Sequence, residues 1–227
     1  MWLYVYIKYK YVYLHYTYMA YIKMQDVIDE LALHGKRVFN INDVTRIIGK
    51  PKNYVSKLLA SNKRIGRIER GKYYIKNGAP DLYEIASQIT FPSYVSAFAA
   101  FQFYSITEQS VIRYTVFTIK RHKPVKVLNS TIEFITIAKG RFFGYKKIGN
   151  IYIATVEKAI IDSLYIRSPP LSYIEEAFSE AMRMGLIDKK MLMDFARKMS
   201  SKTIMLRVLK LLKTNQKVGA KLGEVVR

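Results

Sequence analysis

The stretch from residue 51 to 76, PKNYVSKLLASNKRIGRIERGKYYIK, changes its hydrophobic period half-way along, and that change restricts the fold more than any other feature of the chain. In the first half Val55, Leu58 and Leu59 share one side of a helix that turns about 100° per residue. Pro51 suits a first helical position, where its missing N–H has no partner to lose and its φ is already set. In the second half the period drops to two. Arg67, Glu69, Lys72 and Tyr74 fall on one face, and Ile68, Tyr73 and Ile75 on the other. Arg70-Gly71 reads as a two-residue loop in which Gly71 can take positive φ, setting Glu69 opposite Lys72 and Arg67 opposite Tyr74.

Upstream, Val27, Ile28 and Leu31 mark one face of a first helix, with Gly35 just beyond its end. Val38 and Phe39 suit a short strand. Asn42 is expected to cap a short helix carrying Val44, Ile47 and Ile48, closed by Gly49. Three helices followed by a hairpin predict a winged helix-turn-helix over residues 24–78. On its third helix Asn53 and Lys57 point away from the apolar stripe, flanked by Ser56, Ala60 and Ser61. Tyr54 lies near the edge of the stripe and is expected to pack.

The turn cluster Asn77-Gly78-Ala79-Pro80 reads as a linker. Asp81 can cap a helix running to Ile89, and Ser93 another in which Tyr94, Ala97, Phe98 and Phe101 recur at helical spacing. Residues 112–119, 131–137 and 148–153 are rich in branched and aromatic side chains and are broken by turn residues, which predicts an antiparallel sheet. Thr155 caps the helix that follows, with Glu157 complementing its amino-terminal dipole. Beyond Ser168-Pro-Pro170, Ser172 and Glu175 form the pattern of a capping box. Gly185 ends that helix, Asp188 caps the next, and residues 202–213 continue the helical pattern. The last dozen residues lack periodicity and are expected to fray. The fold class is α+β: a winged helix-turn-helix, a helix-plus-sheet core over 79–165, and carboxy-terminal helices with a basic tail over 166–227.

Residues 1–23 contain eight tyrosines, with Lys8, Lys10 and His15 interrupting the apolar run. They match neither a membrane span, which needs about 20 mostly uncharged apolar residues, nor a signal peptide. Two readings of this arm stand side by side: an extended, strand-like segment, or upstream A/T-rich DNA read as protein, with Met19 or Met24 the working start. The chain has no cysteine, which removes disulfides, thiolate metal sites and a cysteine nucleophile and fits a cytoplasmic protein. Its three histidines, His15, His34 and His122, are far apart, and no phosphate-cradling glycine loop occurs. Glu133 and Glu157 are the candidate acids for a metal-dependent nuclease site. The expectation is a protein that is no enzyme and holds no cofactor or metal.

The formal charge is +21, from 38 Lys and Arg against 17 Asp and Glu, which favours a phosphate polyanion as partner. Between Met24 and Gly78 there are 12 Lys and Arg against 5 Asp and Glu. Lys50, Lys52, Asn53, Ser56, Lys57, Ser61, Lys63, Arg64, Arg67, Arg70 and Lys72 cluster on the third helix and hairpin, and they form the expected interface with double-stranded DNA. Asn53 could pair with adenine and Lys57 with guanine in a major groove, with Ser56 and Ser61 reaching bases or phosphates. Arg67, Arg70 and Lys72 suit phosphate or an adjacent minor groove. Residues 197–227 hold nine Lys and Arg against Glu224 alone. Lys198, Lys202, Arg207, Lys210 and Lys213 there are read either as a second polyanion or partner face or as a solvated helix surface.

Three motifs carry a family likeness: Arg70-Gly-Lys-Tyr-Tyr74; Ser93-Tyr-Val-Ser-Ala-Phe-Ala-Ala-Phe-Gln-Phe-Tyr-Ser-Ile-Thr-Glu-Gln109; and Thr155-Val-Glu-Lys-Ala-Ile-Ile-Asp-Ser-Leu-Tyr165. Their order and spacing over residues 24–200 resemble the AbiEi-like antitoxin and transcriptional-regulator family. Ser105-Ile106 departs from the Gly-Leu of the family pattern. The resemblance implies an amino-terminal winged helix, a carboxy-terminal antitoxin domain, repression of the chain's own operon through inverted repeats, and a nucleotidyltransferase-like toxin as counterpart; a homodimer is a separate expectation, with the oligomeric state left open. Two alternatives remain: a stand-alone regulator without a toxin, and a basic module that grips RNA or an acidic protein.

Overall fold

The chain divides at Asp81/Leu82 into two units, each with its own apolar interior. The structure, a computed structural model, describes residues 24–76 and 81–225, with side chains as far as Asn215. The tyrosine-rich arm 1–23 and the linker 77–80 lie outside the described residues. Both units mix helix and strand, as the α+β reading expects, and no helix among the described residues is long and apolar enough to cross a membrane.

The amino-terminal unit runs α1 (Met24–Leu33), β1 (Val38–Asn40), α2 (Ile41–Ile48), α3 (Lys52–Ser61), β2 (Ile65–Glu69) and β3 (Lys72–Ile75). Its three strands form an antiparallel sheet in the order β1-β3-β2. Val27, Ile28, Leu31, Val44, Ile48, Val55 and Leu59 from the helices meet Phe39, Ile65, Tyr73 and Ile75 from the sheet in one buried cluster. Each such side chain contributes about 1.5–3 kcal/mol when fully removed from water. Gly35, at φ 64°, ends α1, and Gly49, at φ 69°, ends α2 by donating to the Thr45 carbonyl at 2.9 Å.

Three local features of this unit differ from the sequence expectation. Asn40, not Asn42, occupies the cap of α2, and the Asp43 carboxylate accepts from the Asn40 N–H at 2.9 Å. Asn42 instead lies within the helix, because β1 runs directly into it without a loop. Pro51 is the residue before α3 and not its first turn, with φ −60° and ψ 151°, and its carbonyl accepts from the Val55 N–H at 3.1 Å. The hairpin register holds at Glu69 opposite Lys72, but Arg67 faces Tyr73 and Gly66 faces Tyr74, because a bulge between Arg67 and Glu69 absorbs Ile68. Tyr74 is accordingly buried. A Cβ on Gly66 would lie 2.2 Å from Tyr74 ring atoms, so the ring occupies space that only glycine leaves open.

The carboxy-terminal unit runs α4 (Leu82–Gln88), β4 (Ser93–Ser96), α5 (Ala97–Phe103), β5 (Arg113–Thr118), β6 (Val125–Val127), β7 (Ser130–Thr136), β8 (Tyr145–Ile148), β9 (Ile151–Ala154), α6 (Val156–Ile166), α7 (Leu171–Arg183), α8 (Lys189–Lys198) and α9 (Lys202–Val225). The sheet order is β6-β7-β5-β4-β9-β8, and it is mixed, not antiparallel: β5 with β7 and β4 with β9 run parallel. Ser93 does not cap a helix. It opens β4, an inner strand whose four residues are all buried, and the helix begins only at Ala97 after Ser96. Helical spacing in Tyr94–Phe101 is real, yet Tyr94 and Val95 are needed to fill both faces of the sheet centre. Tyr94 stacks on Phe117 and Tyr145 at ring-centroid separations of 5.7 and 4.9 Å.

Thr155 and Asp188 cap α6 and α8 as expected. Ser172 does not cap α7, which starts one residue earlier behind Pro170. The backbone of α9 continues helically to Val225, through residues expected to fray. α6 packs against α5, α7, α8 and α9 and against β4 and β9, which makes it the central helix of this unit.

Candidate nucleic-acid interface

Burial of Val55 and Leu59 fixes the orientation of α3, and the opposite side follows from helix geometry. Lys52, Asn53, Lys57, Ala60 and Ser61 are exposed, Ser56 is half-buried, and Lys50 precedes the helix on the surface. Ser61 donates back to the Leu58 carbonyl at 3.0 Å. Tyr54, expected to pack, is 53% exposed. At about 100° per residue it stands beside Lys57 and Ser61 on the outer side. The sequence missed it because its position next to the stripe is ambiguous until the direction of the neighbouring strand is known. No Asp or Glu occurs in α3.

After α3 the chain turns through Lys63 and Arg64, both exposed. Arg64 donates to the Gln25 side-chain oxygen, which ties the turn to the first turn of α1. On the hairpin Arg67 and Arg70 are exposed, and the Arg67 guanidinium reaches the Glu69 carbonyl at 3.3 Å. Lys72 pairs with Glu69 at 2.7 Å and is half-buried. That pair follows from the observed register, and it directs the Lys72 charge onto its own hairpin. Arg70, at the tip, carries the outward charge of the hairpin.

The carboxy-terminal basic set does not act as one group. Lys202, Lys210 and Lys213 are exposed on α9. Arg207 is half-buried and donates to the Leu164 carbonyl, so its guanidinium closes the end of α6. Lys198 lies 4.5 Å over the Phe143 ring. Arg207 is therefore a packing residue and not part of a free cationic face.

Glu133 and Glu157 are each engaged structurally, with different partners. Glu133 pairs with Arg113 at 2.7 Å, and buried Glu157 accepts from the Asp188 N–H at 3.0 Å. Among the described residues no three His, Asp or Glu side chains are grouped to hold a metal ion. His34 bonds Glu30 at 3.0 Å and the His122 ring lies 4.3 Å from Phe134. His15 lies outside the described residues.

A buried polar cluster in the carboxy-terminal unit was not anticipated. Lys158 and Asp162, one turn apart on α6, are both fully buried and pair at 2.5 Å. Ser96 and Tyr94 donate to the other Asp162 oxygen at 2.8 and 3.1 Å. Phe143 covers the Lys158 ammonium, 4.6 Å from ring centroid to Nζ, and the Met199 sulfur lies 3.6 Å away. Burial pushes the Tyr94 phenol well above its usual range, and the neighbouring Asp162 charge adds to the effect. Tyr104 nearby is pushed up to about 12, by burial first and by the Glu157 charge second. The spacing of Lys158 and Asp162 in the third motif was the signal for this pair, but on sequence alone it equally describes an exposed helix pair.

Comparison with protein-family models and with curated proteins found no match.

Proposed function

We propose that the protein binds double-stranded DNA through its amino-terminal unit, used as a winged helix, and acts as a transcriptional repressor. The observation that carries this reading is the acid-free outer side of α3, on which Asn53, Tyr54, Lys57 and Ser61 stand exposed. A helix with its side chains is about 10–12 Å across, the width of the major groove. Asn53 then reads adenine, Lys57 reads guanine, and Tyr54 lies against sugar or a thymine methyl. Lys50, Lys52, Lys63, Arg64 and Arg67 contact flanking phosphates, and Arg70 at the hairpin tip reaches phosphate or the adjacent minor groove. Lys72 steadies the hairpin through Glu69 instead of binding.

The test is a gel shift with the DNA immediately upstream of the protein's own gene. Log K is expected to fall with log salt by about 0.9 for each phosphate neutralised. Replacing Asn53 and Lys57 relaxes sequence preference, whereas replacing Arg70 weakens binding to all sequences alike. Binding that ignores salt, or no retention of duplex at all, refutes the proposal. The motif resemblance extends it to an AbiEi-like antitoxin, dimeric on inverted repeats and paired with a nucleotidyltransferase-like toxin. Co-expression with the product of the neighbouring reading frame tests that extension, and failure to relieve growth arrest removes it without touching DNA binding.

A further inference from the structure

The five strands β5–β9 and their loops carry a one-sided positive charge. From Val111 to Ala154 there are nine Lys and Arg against a single acid, Glu133, which Arg113 already engages at 2.7 Å. The acids of this unit concentrate elsewhere, with Glu175, Glu176 and Glu180 on α7. Four of the cations follow strand ends at one end of the sheet. β5 and β7 run parallel, with Thr118 beside Thr136, so both strands leave the sheet at the same end. There β5 passes into Lys120-Arg121-His122-Lys123, and β7 into Lys139. All four cations are exposed, and none is in an ion pair among the described residues.

The loop after β5, which carries three of them, is tied down. The Lys120 N–H donates to the Thr118 hydroxyl at 3.2 Å and its carbonyl accepts from the Thr136 hydroxyl at 3.4 Å. His122 turns inward, its ring 4.3 Å from Phe134 and its Nδ1 2.8 Å from the Lys123 carbonyl. The backbone is thus held by the Thr118 and Thr136 hydroxyls while the like charges stand on the outside. Such an arrangement repels itself and gains only when an anion lies across it.

We propose that Lys120, Arg121, Lys123 and Lys139 form a second contact, to the sugar-phosphate backbone of duplex DNA, outside the bases read by α3. This rests on the DNA-binding reading above and extends it to the carboxy-terminal unit. Neither segment, 119–124 or 137–141, holds an Asn or Gln or an exposed aromatic ring that would read or stack on a base, so the contact adds affinity without sequence preference. The two units are consecutive in one chain, so a duplex held by one is presented to the other at high effective concentration.

The experiment uses the full chain, wild type and the quadruple variant Lys120→Gln, Arg121→Gln, Lys123→Gln, Lys139→Gln, titrated by fluorescence anisotropy with operator and random-sequence duplexes over a salt series. At about 0.9 in slope per phosphate, each lost contact lowers affinity about fivefold at 0.15 M salt. The expected result is an equal loss on both duplexes, a shallower salt slope and unchanged preference for the operator. A charge-keeping variant, Lys120→Arg, Lys123→Arg, Lys139→Arg, retains wild-type affinity. Unchanged affinity and slope in the quadruple variant overturn the second contact while leaving the α3 reading intact. Loss of operator preference on replacing Asn53 and Lys57 checks that reading separately, and a wild-type chain that binds neither duplex refutes both. Loss of melting temperature in the quadruple variant, reproduced in the arginine variant, assigns these residues to stability and also overturns the proposal.

Discussion

Replacing Lys158 by Met tests the energetics of the central helix of the carboxy-terminal unit. The Lys158–Asp162 pair is fully buried, so it carries one shared proton and no net charge in the folded state. Burial depresses Lys158 and raises Asp162, opposite shifts of one cause, each opposed by the partner's charge. An unfolded chain between about pH 5 and pH 9 also holds one proton on the two groups, so the native pair adds almost no pH dependence there. The Met variant removes the cation but keeps the chain volume, beside Phe143 and Met199. Asp162 is then a lone buried carboxyl with two hydroxyl donors, and its folded pKa lies above its unfolded value. Stability from such a group is fully present below the unfolded pKa and is lost as pH rises to the folded pKa. The folded state keeps its proton while the unfolded state gives it up, so the unfolding free energy falls by about 1.36 kcal/mol per pH unit, starting near pH 4. The fall ends when the carboxylate ionises inside the fold, at a total on the order of 3–5 kcal/mol. For a unit of this size that corresponds to a melting temperature lower by on the order of 10 °C at neutral pH. Circular dichroism melts of both proteins at pH 4.5, 6 and 8 measure it. A deficit that is the same at pH 4.5 and pH 8 refutes the shared-proton account, and no deficit at all refutes the burial argument.

Three further outcomes follow from local geometry. Gly66→Ala forces its new methyl against the Tyr74 ring and lowers the stability of the amino-terminal unit by about 1–3 kcal/mol, read as a shifted denaturation midpoint. Asp43→Ala removes the acceptor of the Asn40 N–H and the partner of Lys36 and Arg46, costing about 0.5–2 kcal/mol in the same assay. Tyr54→Ala leaves that midpoint within about 0.5 kcal/mol of wild type while weakening operator binding, and a stability loss above that means the ring packs after all.

What could be read from the residues alone was whatever depends on near neighbours. The amphipathic faces of α1 and α3, the glycine ends of α1 and α2, the caps Thr155 and Asp188 and the pairing of Glu69 with Lys72 are set by residues within a few positions of one another. The candidate interface was legible for the same reason: once Val55 and Leu59 turn inward, Asn53 and Lys57 point out. Cap positions slipped by two residues at Asn40, where β1 runs into α2 without a loop, and at Pro170, where the connection from α6 passes directly into α7 one residue ahead of Ser172. Tyr54 and Arg207 were misjudged because an aromatic ring or a long cation sits on either side of a helix edge, depending on the packing beside it.

Periodicity, charge and capping chemistry thus determined the α+β class, the three-helix-and-hairpin order of the amino-terminal unit and the cationic outer side of α3. Tertiary structure alone decided that Ser93–Ser96 is an inner strand, that the large sheet contains two parallel pairs, and that Lys158, Asp162, Ser96 and Tyr94 share one buried site. Local patterns report which side of a segment avoids water. A strand buried on both sides has no such side, and a parallel neighbour arrives only through a long crossover, so both are settled by contacts between residues tens of positions apart.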